Sequence, residues 1–190
     1  MAHPTLMSAA DTGLLVIDVQ EKLAPRIHGV EAMLTNIAFL IDGAKLLGLP
    51  VQVTEQYPKG LGKTVPPLAE RLPAAAEKLA FSCCAVPSVA DDFRRAARPK
   101  VLLCGIEAHV CVQQTALDLL AQDFRVFLAA DAVGSRYAVD RDFALRRLER
   151  AGCIVTTAEA AVFEWTGRSD HPQFKAVSKL VQDRMKALTT

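Results

Sequence analysis

Short, uninterrupted apolar runs separated by stretches of helical period set the tightest limit on what this chain can build. Leu14-Leu15-Val16-Ile17, Val51 to Thr54, Val101 to Cys104, Arg125 to Ala130 and Cys153 to Thr156 read as strands, with a further short one expected near Lys78 to Ser82. A run without a polar alternate is a strand buried on both faces, as in a parallel sheet covered by helices. Between the first two runs, Met33, Leu34, Ile37, Ala38, Ile41 and Ala44 recur at helical spacing, and Gly48 with Pro50 supplies the stop. Further helices are expected behind a Ser88 cap, from about Val110 to Ala121, from Asp140 to Ala151, and from His171 to Leu188. In the last of these Phe174, Val177, Val181 and Met185 make an apolar face predicted to pack back on the sheet. Right-handed crossovers then favour an α/β fold: a three-layer α/β/α sandwich whose six-stranded, mainly parallel sheet has the order 3-2-1-4-5-6. No internal repeat or linker divides the chain, so residues 1–190 are expected to form a single domain.

Composition excludes several partners. With 22 basic against 21 acidic residues and about half the chain apolar, no basic excess is available for phosphate backbones or anionic lipid. Arg146, Arg147 and Arg150 read as one solvated helix face, so neither nucleic acid nor membrane is an expected partner. The amino terminus lacks a signal-peptide pattern and no apolar run approaches the ~18 residues of a membrane span, which predicts a cytoplasmic protein. The five cysteines are odd in number and lie in apolar segments, as in a reducing compartment. Cys83, Cys84, Cys104 and Cys153 read as small buried residues, and no Cys or His spacing suggests a metal site. No cofactor is expected.

The architecture makes a prediction about chemistry. In that strand order the first and fourth strands are neighbours and open a crevice at their carboxyl ends, where such sheets bind ligands. Asp18 ends the first strand, and Cys111 lies where the fourth leads into a helix, so the two face each other across the crevice. At a helix opening, unpaired amides and the positive end of the dipole favour thiolate over thiol, so Cys111 is expected to ionise below the ordinary value of roughly 8.5. The segment from Glu55 to Pro73, rich in Pro and Gly, reads as a loop or a lid over that crevice.

Ile17-Asp18-Val19-Gln20, Lys78 followed by Phe81-Ser82, and Gly105-Ile106-Glu107-Ala108-His109-Val110-Cys111-Val112 resemble the three motif blocks of the isochorismatase-like cysteine hydrolases. The likeness continues through Asp131 to Arg136, Thr156 to Glu159 and His171 to Lys175, where it is similar in particular to isochorismatase domain-containing proteins of unassigned substrate. It implies a hydrolase with a triad of Asp18, Lys78 and Cys111, acting on a small molecule and assembled as a dimer or larger homo-oligomer. In such a trio the carboxylate takes the thiol proton, the ammonium stabilises the resulting charge, and the sulfur attacks an amide or carbamoyl carbonyl to give a thioester. The resemblance also implies a cis peptide at Ile106-Glu107, which aims the backbone N–H of Glu107 at the same oxyanion as the N–H of Cys111.

Each of these residues has a plainer reading. Lys78 alone is a solvated lysine, Cys111 a small buried hydrophobe, and Glu107 a turn residue. Gln20 is either a loop polar group or a support for Asp18, while Tyr57 and Phe81 belong to the pocket or to its apolar surroundings. His109 is demoted as a partner of Cys111, because residues two apart on a helix do not face each other. Metal-dependent relatives carry an Asp-x-His motif after the second strand, where this chain has Val53-Thr54-Glu55-Gln56-Tyr57, so zinc is not expected. Gly60-Leu61-Gly62-Lys63-Thr64 lacks the first glycine of a phosphate loop, whose place Tyr57 takes. Two alternatives to C–N cleavage stay open: isochorismate-type vinyl ether hydrolysis, and a catalytically idle oligomeric interaction protein.

Overall fold

The computed structural model describes residues 3–189. Six strands, β1 (Thr12–Ile17), β2 (Val51–Gln56), β3 (Ala76–Lys78), β4 (Lys100–Ile106), β5 (Arg125–Gly134) and β6 (Ile154–Thr156), form one sheet in the order β3-β2-β1-β4-β5-β6. Every pairing is parallel, which makes the sheet fully rather than mainly parallel. β1 lies at the centre with all six residues buried. Its side chains alternate between two cores: Leu14 and Val16 join Ile37, Leu40, Ile41, Leu102 and Phe127 on one face, while Leu15 and Ile17 join Val89, Phe93, Leu103, Val112 and Leu119 on the other. This two-sided burial explains the unbroken apolar runs.

Helices cover both faces. The first core is closed by α1 (Val30–Leu46), and the second by α4 (Pro87–Arg95), α5 (Gln113–Ala121) and α6 (Ala138–Arg150). Gly48 ends α1 in the left-handed conformation, at φ 74°, as its place beside Leu47 suggests. Two one-turn helices, α2 (Pro58–Leu61) and α3 (Pro66–Ala69), lie in the segment between β2 and β3. The chain closes with α7 (Ala158–Thr166) and α8 (Phe174–Thr189).

Several sequence expectations need correction. β3 ends at Lys78 rather than beginning there, because the chain past it turns inward to supply Ala80 and Phe81 carbonyls to the Lys78 ammonium. Ser88 does not cap α4: Pro87 takes the first helical position, where its missing N–H costs nothing, and no side chain caps the end. α8 packs on α1 and α7, with Val177 in the core shared with them and Met185 mostly exposed. α7 has no counterpart in the sequence reading.

The segment after β2 is fastened rather than loose. Thr64 donates both its N–H and its hydroxyl to Glu55 Oε1, at 2.7 and 2.9 Å, the Val65 N–H reaches the Val19 carbonyl, and Leu68 is fully buried. Gln20 is fully buried as well. Its amide donates to the carbonyls of Gln56 and Gly62, and its oxygen accepts from the Gln56 N–H. Its side chain therefore ties this segment to the end of β2, while its backbone N–H donates to the Asp18 carbonyl at 2.8 Å.

Candidate active site

Three strand ends converge. β1 runs out at Ile17, paired with Thr54 on one side and Gly105 on the other, while Lys78 is the last residue of β3, in register with Gln56. Gly105 permits the close approach of the two central strands: at φ 117° it occupies space where a Cβ would lie 2.1 Å from the Ile17 carbonyl oxygen. Only glycine fits there. Asp18 itself has a left-handed backbone, φ 52°, which Asp tolerates better than most residues, and its N–H is held by the Thr54 carbonyl.

Asp18 and Lys78 form a buried ion pair, Nζ to Oδ2 2.6 Å, with both side chains at most 1% exposed. The ammonium has three protons and three close acceptors, Asp18 Oδ2, Gln56 Oε1 at 2.7 Å and the Phe81 carbonyl at 2.9 Å, with the Ala80 carbonyl at 3.3 Å. Its donors are thus spent on the protein, and it acts on neighbours through charge. The second carboxylate oxygen, Oδ1, accepts the Thr54 hydroxyl at 2.8 Å. Burial opposes the ammonium, but the charge of Asp18 outweighs that cost with help from nearby groups, and the Lys78 pKa is raised.

Cys111 lies close enough to feel this charge pair. It is 6% exposed and sits in the second core, where the charges of Asp18 and Lys78 both act on its thiol. Burial and then the negative charge of Asp18 push the thiol pKa up, against a downward pull from Lys78. This corrects the expectation of a thiol that ionises readily at a helix opening. Cys111 lies inside a wide turn of π type, Ala108–Val112, ahead of α5, so it is not one of the first residues of a regular helix.

The peptide Ile106-Glu107 is cis. The Glu107 carbonyl accepts from the N–H groups of Val110 and Val112, and its carboxylate accepts from the Arg136 N–H and guanidinium, at 3.1 and 3.0 Å. His109 turns elsewhere, with Nδ1 3.0 Å from the Ser135 hydroxyl and Nε2 3.9 Å from Asp140. Tyr57 and Phe81 are each about half exposed, and Tyr57 borders an open hollow of about 350 Å³ with Pro58, Lys59, Glu77, Lys78 and Leu79. Among the described residues no cluster of three or more His, Cys, Asp or Glu is arranged to hold a metal ion.

In the sequence Cys83 reads as a small buried residue and Thr54 as part of a strand. Both are fully buried behind Asp18, with Cys83 Sγ 3.3 Å from Thr54 Oγ1. Nothing in their spacing points there: the pairing of β1 with β2 brings Thr54 to Asp18, and the turn after β3, anchored on Thr115 of α5, brings Cys83.

The isochorismatase domain family matches residues 12–160, which span β1 through the start of α7 and carry Asp18, Lys78 and Cys111. The chain belongs to this family. Isochorismatase domain-containing protein 1 of Danio rerio is 38% identical over 181 residues, which is 93% of this chain but 62% of that relative's length. Among solved structures, the isochorismatase domain resembles the MAR1 ribonuclease of Caenorhabditis elegans at 44% identity and a TM-score of 0.89, covering 94% of this chain and 93% of that one. The ycaC gene product of Escherichia coli, described as an octameric hydrolase of unknown specificity, shares the fold at 22% identity and a TM-score of 0.86, covering all of this chain and 97% of that one. No helix among the described residues is long and apolar enough to cross a membrane.

Proposed function

We propose that the protein hydrolyses a C–N bond, amide or carbamoyl, of a small molecule through a thioester on Cys111. The observation that carries this reading is the buried ion pair of Asp18 and Lys78 at the ends of β1 and β3, with Cys111 buried within reach of both charges. Asp18 takes the thiol proton as sulfur attacks the carbonyl carbon. Collapse of the tetrahedral species breaks the C–N bond, and the departing amine carries off that proton. Water then adds to the thioester, with Asp18 again as base, and the acid is released with the thiol restored. Lys78 stabilises both the thiolate and the ionised base through charge, more strongly than in water because the site is buried. The N–H groups of Glu107 and Cys111 serve the oxyanion, and a donor of this kind is worth about a hundredfold or more in rate. Gln20 holds the surrounding segment in place, and Tyr57 and Phe81 supply the apolar rim.

The test is a panel of small amides and carbamoyl compounds with intact-mass trapping. An acyl adduct confined to Cys111, lost in Asp18→Asn, is expected; turnover that survives Cys111→Ser overturns the thioester. Vinyl ether hydrolysis needs no sulfur nucleophile, so survival of turnover in that variant on an isochorismate-type substrate favours the alternative. The name of the C. elegans relative suggests phosphodiester cleavage as a second reading, and RNA belongs in the same panel. Against it stands the near balance of charge, a net of +1. A protein that neither turns over any of these nor modifies Cys111 faster than a free thiol is the idle scaffold. We infer self-assembly as well, supported by the exposed Tyr137, Val139 and Phe143 at the start of α6 and by the octamer described for the E. coli protein.

A further inference from the structure

The proton inventory behind Asp18 has only one consistent arrangement. Oδ2 is taken by Lys78 at 2.6 Å and Oδ1 by the Thr54 hydroxyl at 2.8 Å. A threonine hydroxyl has one proton and two lone pairs, and a carboxylate offers only acceptors. While Asp18 is ionised, the Thr54 proton therefore points at Oδ1, and Thr54 Oγ1 is an acceptor toward anything else it touches. What it touches is Cys83 Sγ, at 3.3 Å. The thiol must then be the donor, giving a line from Cys83 S–H to Thr54 O–H to Asp18. Both groups are fully buried, and the Cys83 N–H is anchored on the Thr115 hydroxyl at 2.9 Å, so no water competes for the positions.

We propose that Thr54, backed by Cys83, is a positioning residue that fixes the Asp18 carboxylate through Oδ1 in the orientation its role as base toward Cys111 requires. Thr54 holds Asp18 twice, its carbonyl accepting from the Asp18 N–H at 3.1 Å and its hydroxyl donating to the side chain. Cys83 suits the task because it stays a thiol: burial pushes its pKa up to about 12, with a further push from Asp18. The titratable groups facing this line are Asp18 on the loop after β1, Lys78 on β3 and Cys111 on the turn before α5. The role rests on the proposed use of Asp18 as the base for Cys111.

The test is the rate of iodoacetamide alkylation at Cys111, resolved by peptide mass across pH 5 to 9, in wild type and in Thr54→Ser, Thr54→Val, Cys83→Ser and Cys83→Ala. Thr54→Val keeps the shape and removes the donor, so the rate is expected to fall about tenfold or more with the acid limb moved to higher pH, because a donor to the charged form is gone. Thr54→Ser and Cys83→Ser keep donors and are expected within about threefold of wild type, while Cys83→Ala falls between them and Thr54→Val. Thermal unfolding shows which variants fold; if Thr54→Val does not, the Cys83→Ser and Cys83→Ala pair decides. Equal rates and pH profiles in the variants with and without donors overturn the proposal. Asp18→Asn separates the two layers: if it suppresses alkylation and Thr54→Val does not, only the positioning role fails, whereas if Asp18→Asn also leaves the rate unchanged, the base role fails with it.

Discussion

Asp18 and Lys78 pair with both side chains at most 1% exposed, so the two stand or fall together. Removing one partner of a buried pair strands the other, at a cost of about 3 to 5 kcal/mol. Lys78→Met is therefore expected to lose that much stability in urea unfolding, and Asp18→Asn/Lys78→Met to recover part of it. Equal stability of Lys78→Met and wild type would contradict the burial of the pair. Asp18 and Cys111 stand out as candidates in the sequence because each lies where a central strand gives way to a turn. Lys78 came only through resemblance: its burial depends on Gln56, Ala80 and Phe81 accepting its protons, and no local pattern announces three such acceptors. Thr54 and Cys83 carried no signal, since a strand threonine and a buried cysteine are ordinary core residues until register puts them behind a carboxylate.

At the scale of elements, the candidate site sits where β1 and β4 approach closely at Ile17 and Gly105. Gly105→Ala places a methyl carbon against the Ile17 backbone and demands a positive φ, so it is expected to destabilise by more than about 2 kcal/mol or to prevent folding. A wild-type melting temperature for that variant would refute the packing described. The segment after β2 offers a second test. Burial raises the Glu55 carboxyl, but the Thr64 N–H and hydroxyl, with Lys63, outweigh it and hold the pKa below the ordinary 4.5. A depressed carboxyl contributes stability above its unfolded pKa and loses it as pH falls through the lower, folded one. Hydrogen exchange in residues 57–75 should accordingly quicken below about pH 4.5, and Glu55→Gln should show the fast behaviour at neutral pH. Strands and long helices were readable because burial on two faces and helical period leave patterns of apolar residues. α7 was not: Ala158, Ala161, Val162 and Trp165 are buried at helical spacing, but two of the four are alanines with little apolar surface to mark a face, and Thr157 accepting from the Ala160 N–H marks its start. β5 runs to Gly134, past the expected Ala130, because its pairing with β4 shifts register between Leu103 and Gly105 and then resumes.

Across the whole molecule, all five thiols are free and all have their pKa raised by burial, Cys84 to about 11 and Cys83 and Cys153 to about 12, with Cys104 and Cys111 raised as well. In the unfolded chain they ionise near 8.5. A raised thiol contributes stability that is complete below the unfolded value and is lost as pH climbs toward the folded one, so urea midpoints should fall between about pH 8.5 and 10.5. The slope is up to about 1.4 kcal/mol per pH unit for each thiol that stays protonated. A midpoint flat across that range would mean the thiols ionise in place. Light scattering after size exclusion checks self-assembly: a mass above 20.5 kDa is expected, and Phe143→Asp should lower it if the α6 patch is the contact. The same proton balance carries the central claim, a neutral Cys111 thiol whose proton Asp18 removes only when substrate arrives. The most direct measurement is the thiolate absorbance at about 240 nm of the folded protein titrated from pH 5 to 10, taken as the difference from Cys111→Ser. No thiolate step at or below pH 8 is expected; a full step centred near or below pH 7 would show a preformed nucleophile and contradict the role given to Asp18.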